Sequence, residues 1–360
     1  MPCYITRTGS FLPGRVVSND GITRCLGMLP GEEEVARRVL AMNGIRGRHY
    51  VGGPEAGSAR DVYDLGVEAC RVCLGGEEAG VGYLSAGTTY TPLAAPGYSS
   101  ILHARLADAG LLNRSVEISS HGGVCSSSSS AFVAAARAVA SGEHREAVCV
   151  GAEHASAVLH ADVIRPIDDR AEHADVRRSR WFMSVFLRHM LSDGAGAVLL
   201  SDVRARSGLS FRVDWTFSAS HAHDTELCMW LDAESGLLSQ DVRVLMKYLF
   251  PRAGRSLSAA LARHNDRLER FHVILPHMSS FFFQKKMERV VADHCDDPRR
   301  PTPYWTNLAE VGNTGAASIF IMLDGYARSG AVGNGDRLLL FVPESGRFNF
   351  VFVALTAVTS

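Results

Sequence analysis

No stretch of this chain approaches ~18 uninterrupted apolar residues, so no membrane-spanning helix is expected. Its start, Met1-Pro-Cys-Tyr-Ile-Thr6, has no basic segment leading into an apolar run, so no secretory leader is read there. An excess of either charge is also missing. Lys and Arg number 37 against 38 Asp and Glu, and a net charge of −1 leaves no whole-chain field to draw in nucleic acid or an anionic membrane. Any acidic partner must then be met by a local patch. The eight cysteines, at positions 3, 25, 70, 73, 125, 149, 228 and 295, form neither a dense disulfide framework nor paired zinc knuckles. Cys70 and Cys73 fall inside a helical pattern without a second pair, which reads as core packing. His221-x-His223 has no third ligand at useful spacing, so no metal site is expected. These absences lead to the expectation of a reduced, cytoplasmic, soluble protein.

What is present is a globular composition. With 360 residues, 46% hydrophobic and 21% charged, the chain is long enough for one large core or two fused ones. Strands are expected at Cys3–Gly9, Gly80–Ser85, Ser115–Ser120 and Ala147–Ala152, and helices at Glu32–Asn43, Ala59–Leu74 and Pro96–Leu112. This alternation predicts parallel strands joined by helical crossovers. Between Leu159 and Arg180 the composition turns strongly charged, which reads as a surface excursion. The glycines of Ser192-Asp-Gly-Ala-Gly-Ala197 read as close strand packing rather than a phosphate loop.

The second half repeats this plan. A strand at Leu209–Phe217, helices at Leu237–Leu249 and Ser256–His264, a strand at Phe271–Leu275 and a small-residue helix opening at Asn313 precede strands at Asp336–Val342 and Phe348–Thr356. Two halves of like pattern suggest a duplication.

The stretch around which the rest is organised is His121-Gly-Gly-Val-Cys-Ser-Ser-Ser-Ser-Ser-Ala131. It sets Cys125 on a strand-to-helix turn. There, unpaired N–H groups and the positive end of the helix dipole would favour thiolate over thiol. Two further residues occupy comparable places: His277, just past a strand end, and Asn313, at the opening of a helix.

Together with Ile5-Thr-Arg-Thr-Gly-Ser-Phe-Leu-Pro13, Asn43-Gly-Ile-Arg-Gly-Arg-His49, Leu191-Ser-Asp-Gly-Ala-Gly-Ala197, Leu275-Pro-His277 and Gly312-Asn-Thr-Gly-Ala-Ala-Ser318, these residues resemble ketosynthase III and the wider thiolase-like superfamily. The resemblance spans almost the whole chain. It implies an α/β, five-layer αβαβα fold from two duplicated halves, 1–205 and 206–360. It further implies a homodimer, no cofactor beyond the substrates, and acyl thioesters on coenzyme A or acyl carrier protein. On this resemblance Cys125 is the nucleophile, and His277 and Asn313 donate hydrogen bonds to a thioester carbonyl as carbanion charge develops. The N–H groups of Cys125 and Gly346 form the oxyanion hole.

Departures from the common pattern bear on the reaction. Pro343-Glu-Ser-Gly-Arg-Phe348 stands where fatty-acid enzymes carry a glycine-rich loop. With Phe186-Leu-Arg-His-Met-Leu-Ser-Asp-Gly194 it is similar to the branch that forms dialkylresorcinols or cyclohexanediones. In that branch Glu153 would be an additional acid/base for cyclisation; a solvated strand-end carboxylate or a structural hydrogen bond is its other reading. Arg177 and Arg178, with Arg165, Arg170 and Arg180, are candidates for binding the carrier or coenzyme A, against a plain solvated loop. Competing functions are ordinary decarboxylative condensation with a malonyl carrier, acyl transfer from Cys125 to an alcohol or amine, and a non-catalytic partner subunit.

Overall fold

The computed structural model describes every residue except 56, 58, 77–79, 166–178 and 360. In chain order its principal elements begin with strand β1 (Tyr4–Phe11), helices α1 (Glu33–Asn43) and α2 (Val62–Leu74), and strand β2 (Tyr83–Thr88). Helix α3 (Tyr98–Asp108), β3 (Glu117–His121), α4 (Ser127–Ser141), β4 (Glu146–Glu153), α5 (Arg180–Arg188) and β5 (Gly194–Ser201) complete the first half. The second half contains β6 (Leu209–Ser220), β7 (Met229–Leu231), β8 (Leu238–Gln240), α6 (Val242–Arg263) and β9 (Val273–Pro276). It ends with α7 (Gln284–Ala292), α8 (Ser318–Arg328), β10 (Arg337–Pro343) and β11 (Asn349–Thr359).

Nine strands form one hydrogen-bonded sheet in the order β9-β10-β11-β6-β1-β5-β4-β2-β3. The join in its middle is slight, because β1 meets β6 only at Tyr4–Arg212 and Ile5–Phe211. On one side of it the strands of the first half lie in the order third, second, fourth, fifth, first. The second half repeats that order, with its third strand reduced to a parallel bridge between Ile274 and Tyr304. The sheet is mixed rather than wholly parallel as the alternation predicted: β2 runs parallel to β3 and β4, while β5 lies antiparallel to both β4 and β1. A local helix–strand pattern does not reveal that a fifth strand returns between the fourth and the first.

The layers follow from which faces are apolar. Helices α2 and α3 cover the outer face of the first half through Leu65, Ala69 and Leu102, packed on Leu84, Val150 and Leu199. Helices α4 and α8 lie between the halves, where Phe132 and Phe320 meet at 6.2 Å. On β10, Leu338, Leu340 and Val342 face this central layer, while Leu339 and Phe341 face α6 and α7 on the far side. Both faces of these strands are covered, so they read as continuous apolar runs. The result is the five-layer αβαβα arrangement, and no described helix is long and apolar enough to cross a membrane.

Several local expectations shift. Asp61 caps α2 by accepting from the N–H groups of Tyr63 and Asp64, so that helix starts three residues later than its periodicity suggests. The two helices read at Leu237–Leu249 and Ser256–His264 are one 22-residue helix containing Pro251. Leu245, Ala253, Leu257 and Leu261 keep a buried stripe across the proline, so packing holds the helix together. Gly194 and Gly196 lie within β5, and a Cβ on Gly196 would stand 2.5 Å from the Cβ of Phe320. This is the close packing read from the sequence.

Candidate active site

Cys125 lies two residues before α4, on the turn that follows β3. Close approach makes this placement possible: a Cβ on Gly87 of β2 would fall 2.4 Å from the Ser127 backbone. The small Ser126–Ser130 run therefore seats the helix N-terminus directly on the sheet. The thiol is 7% exposed. Burial, followed by the nearby carboxylates of Glu344 and Glu153, raises its pKa far above the ordinary value, and a backbone hydrogen bond opposes this only in part. The resting group is thus a thiol. Desolvation and the two carboxylates oppose the thiolate that a helix terminus by itself favours.

His277 follows the end of β9, where its N–H donates to the Phe341 carbonyl at 2.8 Å. Burial alone lowers its pKa to about 4, so the ring is neutral at physiological pH. Its Nδ1 lies 2.6 Å from the Ser318 hydroxyl at the start of α8. When that hydroxyl donates, the ring proton resides on Nε2. Asn313 does not cap a helix. It lies five residues before α8 in a parallel bridge with Leu191, its N–H donating to Met190 O at 3.1 Å and its carbonyl accepting from Ser192 at 2.9 Å. The Asn313 Oδ1 accepts from the Gly315 N–H at 3.0 Å, so the side-chain amide keeps its NH₂ as donor.

Glu153 ends β4 and is 4% exposed, which overturns the solvated reading. Its Oε2 accepts from Thr89 Oγ1 at 2.6 Å and from the Ala316 N–H at 2.9 Å. Burial nevertheless raises its pKa to about 7, against those two hydrogen bonds. Gly315, at φ +47°, passes so near that an added Cβ would meet Oε2 at 2.1 Å. The carboxyl group therefore props the turn that carries Asn313, and Ser128 of α4 bonds the Ala316 carbonyl of the same turn.

Two apolar cavities meet at the thiol. The first runs past His277 between Leu249, Phe250, Ala253, Met287 and Phe341. The second passes Asn313 and Glu153 between Val158, Leu187, Met190 and Leu238. Cys125, Gln240, Ser279 and Ser345 line both. The structure thus gathers Cys125, His277, Asn313 and Glu153 around one branch point. Gly346 is in the adjacent turn, where its carbonyl accepts from the Cys228 N–H at 2.9 Å.

Sequence reasoning missed Gln240, Ser279, Ser318 and Glu344. Gln240 falls within the helix expected at Leu237–Leu249, and its pairing with Met229 makes it strand instead. Glu344 had a usable signal, an isolated acid between two apolar strands. Arg170, Arg177 and Arg178 lie outside the described residues. Arg165 pairs with Asp162 at 2.8 Å, and Arg180 lines a surface cleft with Arg243 and Gln240. His221 Nε2 bonds Ser256 Oγ at 2.8 Å.

Known proteins resemble this chain in sequence and in fold. Residues 272–346 match the family model 3-oxoacyl-[acyl-carrier-protein (ACP)] synthase III C terminal. A beta-ketoacyl-[acyl-carrier-protein] synthase III of Acholeplasma laidlawii is 22% identical over 330 residues, covering 90% of this chain and 89% of that protein. Among solved structures, 3-oxoacyl-(acyl carrier protein) synthase III of Pseudomonas aeruginosa PAO1 superposes with a TM-score of 0.73 at 22% identity, covering 99% of this chain and 98% of that one. A variant of Xanthomonas campestris OleA gives 0.76 at 19% identity, covering 99% and 98%. A tetronic acid condensing enzyme gives 0.74 at 19%, covering 98% and 99%. The fold is that of these solved structures.

Proposed function

We propose that the chain is a ketosynthase III-like acyltransferase that loads an acyl group on Cys125 and condenses it, Claisen fashion, with a second acyl or β-ketoacyl thioester. The observation that carries this reading is the branch point: one thiol faces two apolar cavities, the first bearing His277 and the second Asn313. In loading, Sγ attacks the thioester carbon, the carrier leaves as its thiol, and Cys125 holds the acyl group. The backbone N–H groups of Cys125 and Gly346 stabilise the oxyanion of that step. The second thioester then becomes a carbanion, losing carbon dioxide or giving its α-proton to the Glu153 carboxylate that lines the second cavity. Charge on its carbonyl oxygen is met by the Nε2–H of neutral His277 and the amide of Asn313. Attack on the acyl-cysteine forms the carbon–carbon bond and releases the thiol.

Glu153 suits a further acid/base step, cyclisation to a cyclohexanedione or resorcinol precursor. It lines the second cavity and has a pKa of about 7, near operating pH. The substrates are acyl groups on coenzyme A or acyl carrier protein, and the residues around 165–180, Arg177 and Arg178 among them, are where the carrier would dock. Strand β3, hydrogen-bonded on one side only and presenting exposed Ile118, supports a homodimer formed along this edge.

Intact-mass spectrometry of the protein with a panel of acyl thioesters tests this reading. The expected result is a single acyl adduct that disappears in Cys125→Ala, with the fold retained. An adduct persisting in the alanine variant refutes the assignment. An adduct discharged only to alcohols or amines replaces condensation with acyl transfer to those acceptors.

A further inference from the structure

Glu344 takes no part in the scheme above, yet it lies behind the nucleophile in the turn between β10 and β11. It is 8% exposed. Its carboxylate accepts from the hydroxyl of Ser126, the residue that follows Cys125. That hydroxyl oxygen accepts in turn from Asn349 Nδ2 at 2.8 Å, and the Glu344 N–H donates to the Asn349 carbonyl at 2.9 Å. Two glycines make room for the group. A Cβ on Gly346 would meet Oε1 at 2.7 Å, and one on Gly123, at φ +150°, would meet Oε2 at 3.3 Å. The carboxylate is thereby wedged between the two turns that flank the thiol.

Among the described residues, no positively charged group acts on the Cys125 thiol. The ionisable groups around Cys125 are Glu344 from the β10–β11 turn, Glu153 from the end of β4, and His277 after β9, which is neutral. A second negative charge on Sγ would face a like charge inside a water-poor site, where such repulsion is strong.

We propose that Glu344 is a positioning residue that fixes the Cys125 turn through Ser126 and keeps the thiol protonated and unreactive at rest. The proton then leaves Sγ only as Sγ attacks the acyl carbon, and the departing carrier thiolate takes it up. This role rests on the reading of Cys125 as nucleophile.

The test measures iodoacetamide alkylation of Cys125 against pH, located by peptide mapping. In the wild-type protein, alkylation should rise only above the ordinary cysteine range of about 8.5. Glu344→Gln keeps the size of the side chain and an acceptor for Ser126, and should move the curve down by about one to three pH units. Glu344→Asp keeps the charge and should stay with the wild type. A Gln variant that tracks the wild type, or an Asp variant that shifts as far as Gln, overturns the proposal. So does a wild-type curve centred at or below about 8.5, which decides the matter even if the variants do not fold. Acyl loading, measured separately by mass, reports on Cys125 as nucleophile, so the two failures are distinct.

Discussion

Glu153→Gln tests the electrostatics of the site without requiring turnover. Burial raises the Glu153 pKa from 4.5 to about 7, and that difference of about 2.5 units corresponds to about 3 kcal/mol between the protonation states. Because the folded pKa is raised, the associated stability is fully present below 4.5 and is lost as pH rises through 7. Both hydrogen bonds to the carboxyl group, from Thr89 Oγ1 and the Ala316 N–H, end on the same oxygen, so a glutamine carbonyl can accept them both. The neutral variant should therefore match the wild type at pH 4.5 and exceed it at pH 8.5, by up to about 3 kcal/mol. Urea denaturation at the two pH values measures the difference. Parallel loss of stability in wild type and variant would refute the reasoning, since some other group would then carry the pH dependence. In the same variant, an uncyclised or lactonised product would assign Glu153 the acid/base step, and an unchanged product would leave it the structural role of supporting the Asn313 turn.

Asn313→Ala should still accumulate acyl-Cys125 but condense ~10²–10³ slower, read by product formation after preloading, because one donor to the developing oxyanion is gone. Ser318→Ala removes the partner of His277 Nδ1 and should slow condensation about tenfold while leaving acyl loading intact, with Ser318→Thr restoring the rate. Reversing charge at Arg177 and Arg178 should raise KM for the carrier-bound thioester with little effect on kcat; unchanged kinetics would reduce that segment to a solvated loop.

The positions of elements whose identity depends on local periodicity were legible from the sequence. Apolar runs marked β4, β10 and β11, and the helix expected to end at Asn43 does end there, where Gly44 takes the left-handed conformation. The position of Cys125 on a strand-to-helix turn, between a glycine pair and a serine-rich helix start, was legible as well. The strand–helix alternation predicted an α/β fold, and resemblance of six short motifs in order supplied the layered architecture. Boundaries were displaced where a capping residue or long-range pairing intervened, as at Asp61 and at Gln240.

Only the tertiary structure decided what surrounds the thiol. The sequence could place Cys125 at a helix terminus, but whether the dipole or desolvation sets its protonation depends on Glu344 and Glu153, which are 219 and 28 positions away in the chain, counting from residue 125. Likewise Asn313 became a bridge residue held by Met190 and Ser192, and His277 gained Ser318, through contacts that no local window contains. Periodicity records which face of an element is buried; the field and the hydrogen bonds at a site are sums over groups brought together by packing, and packing is a property of the whole fold.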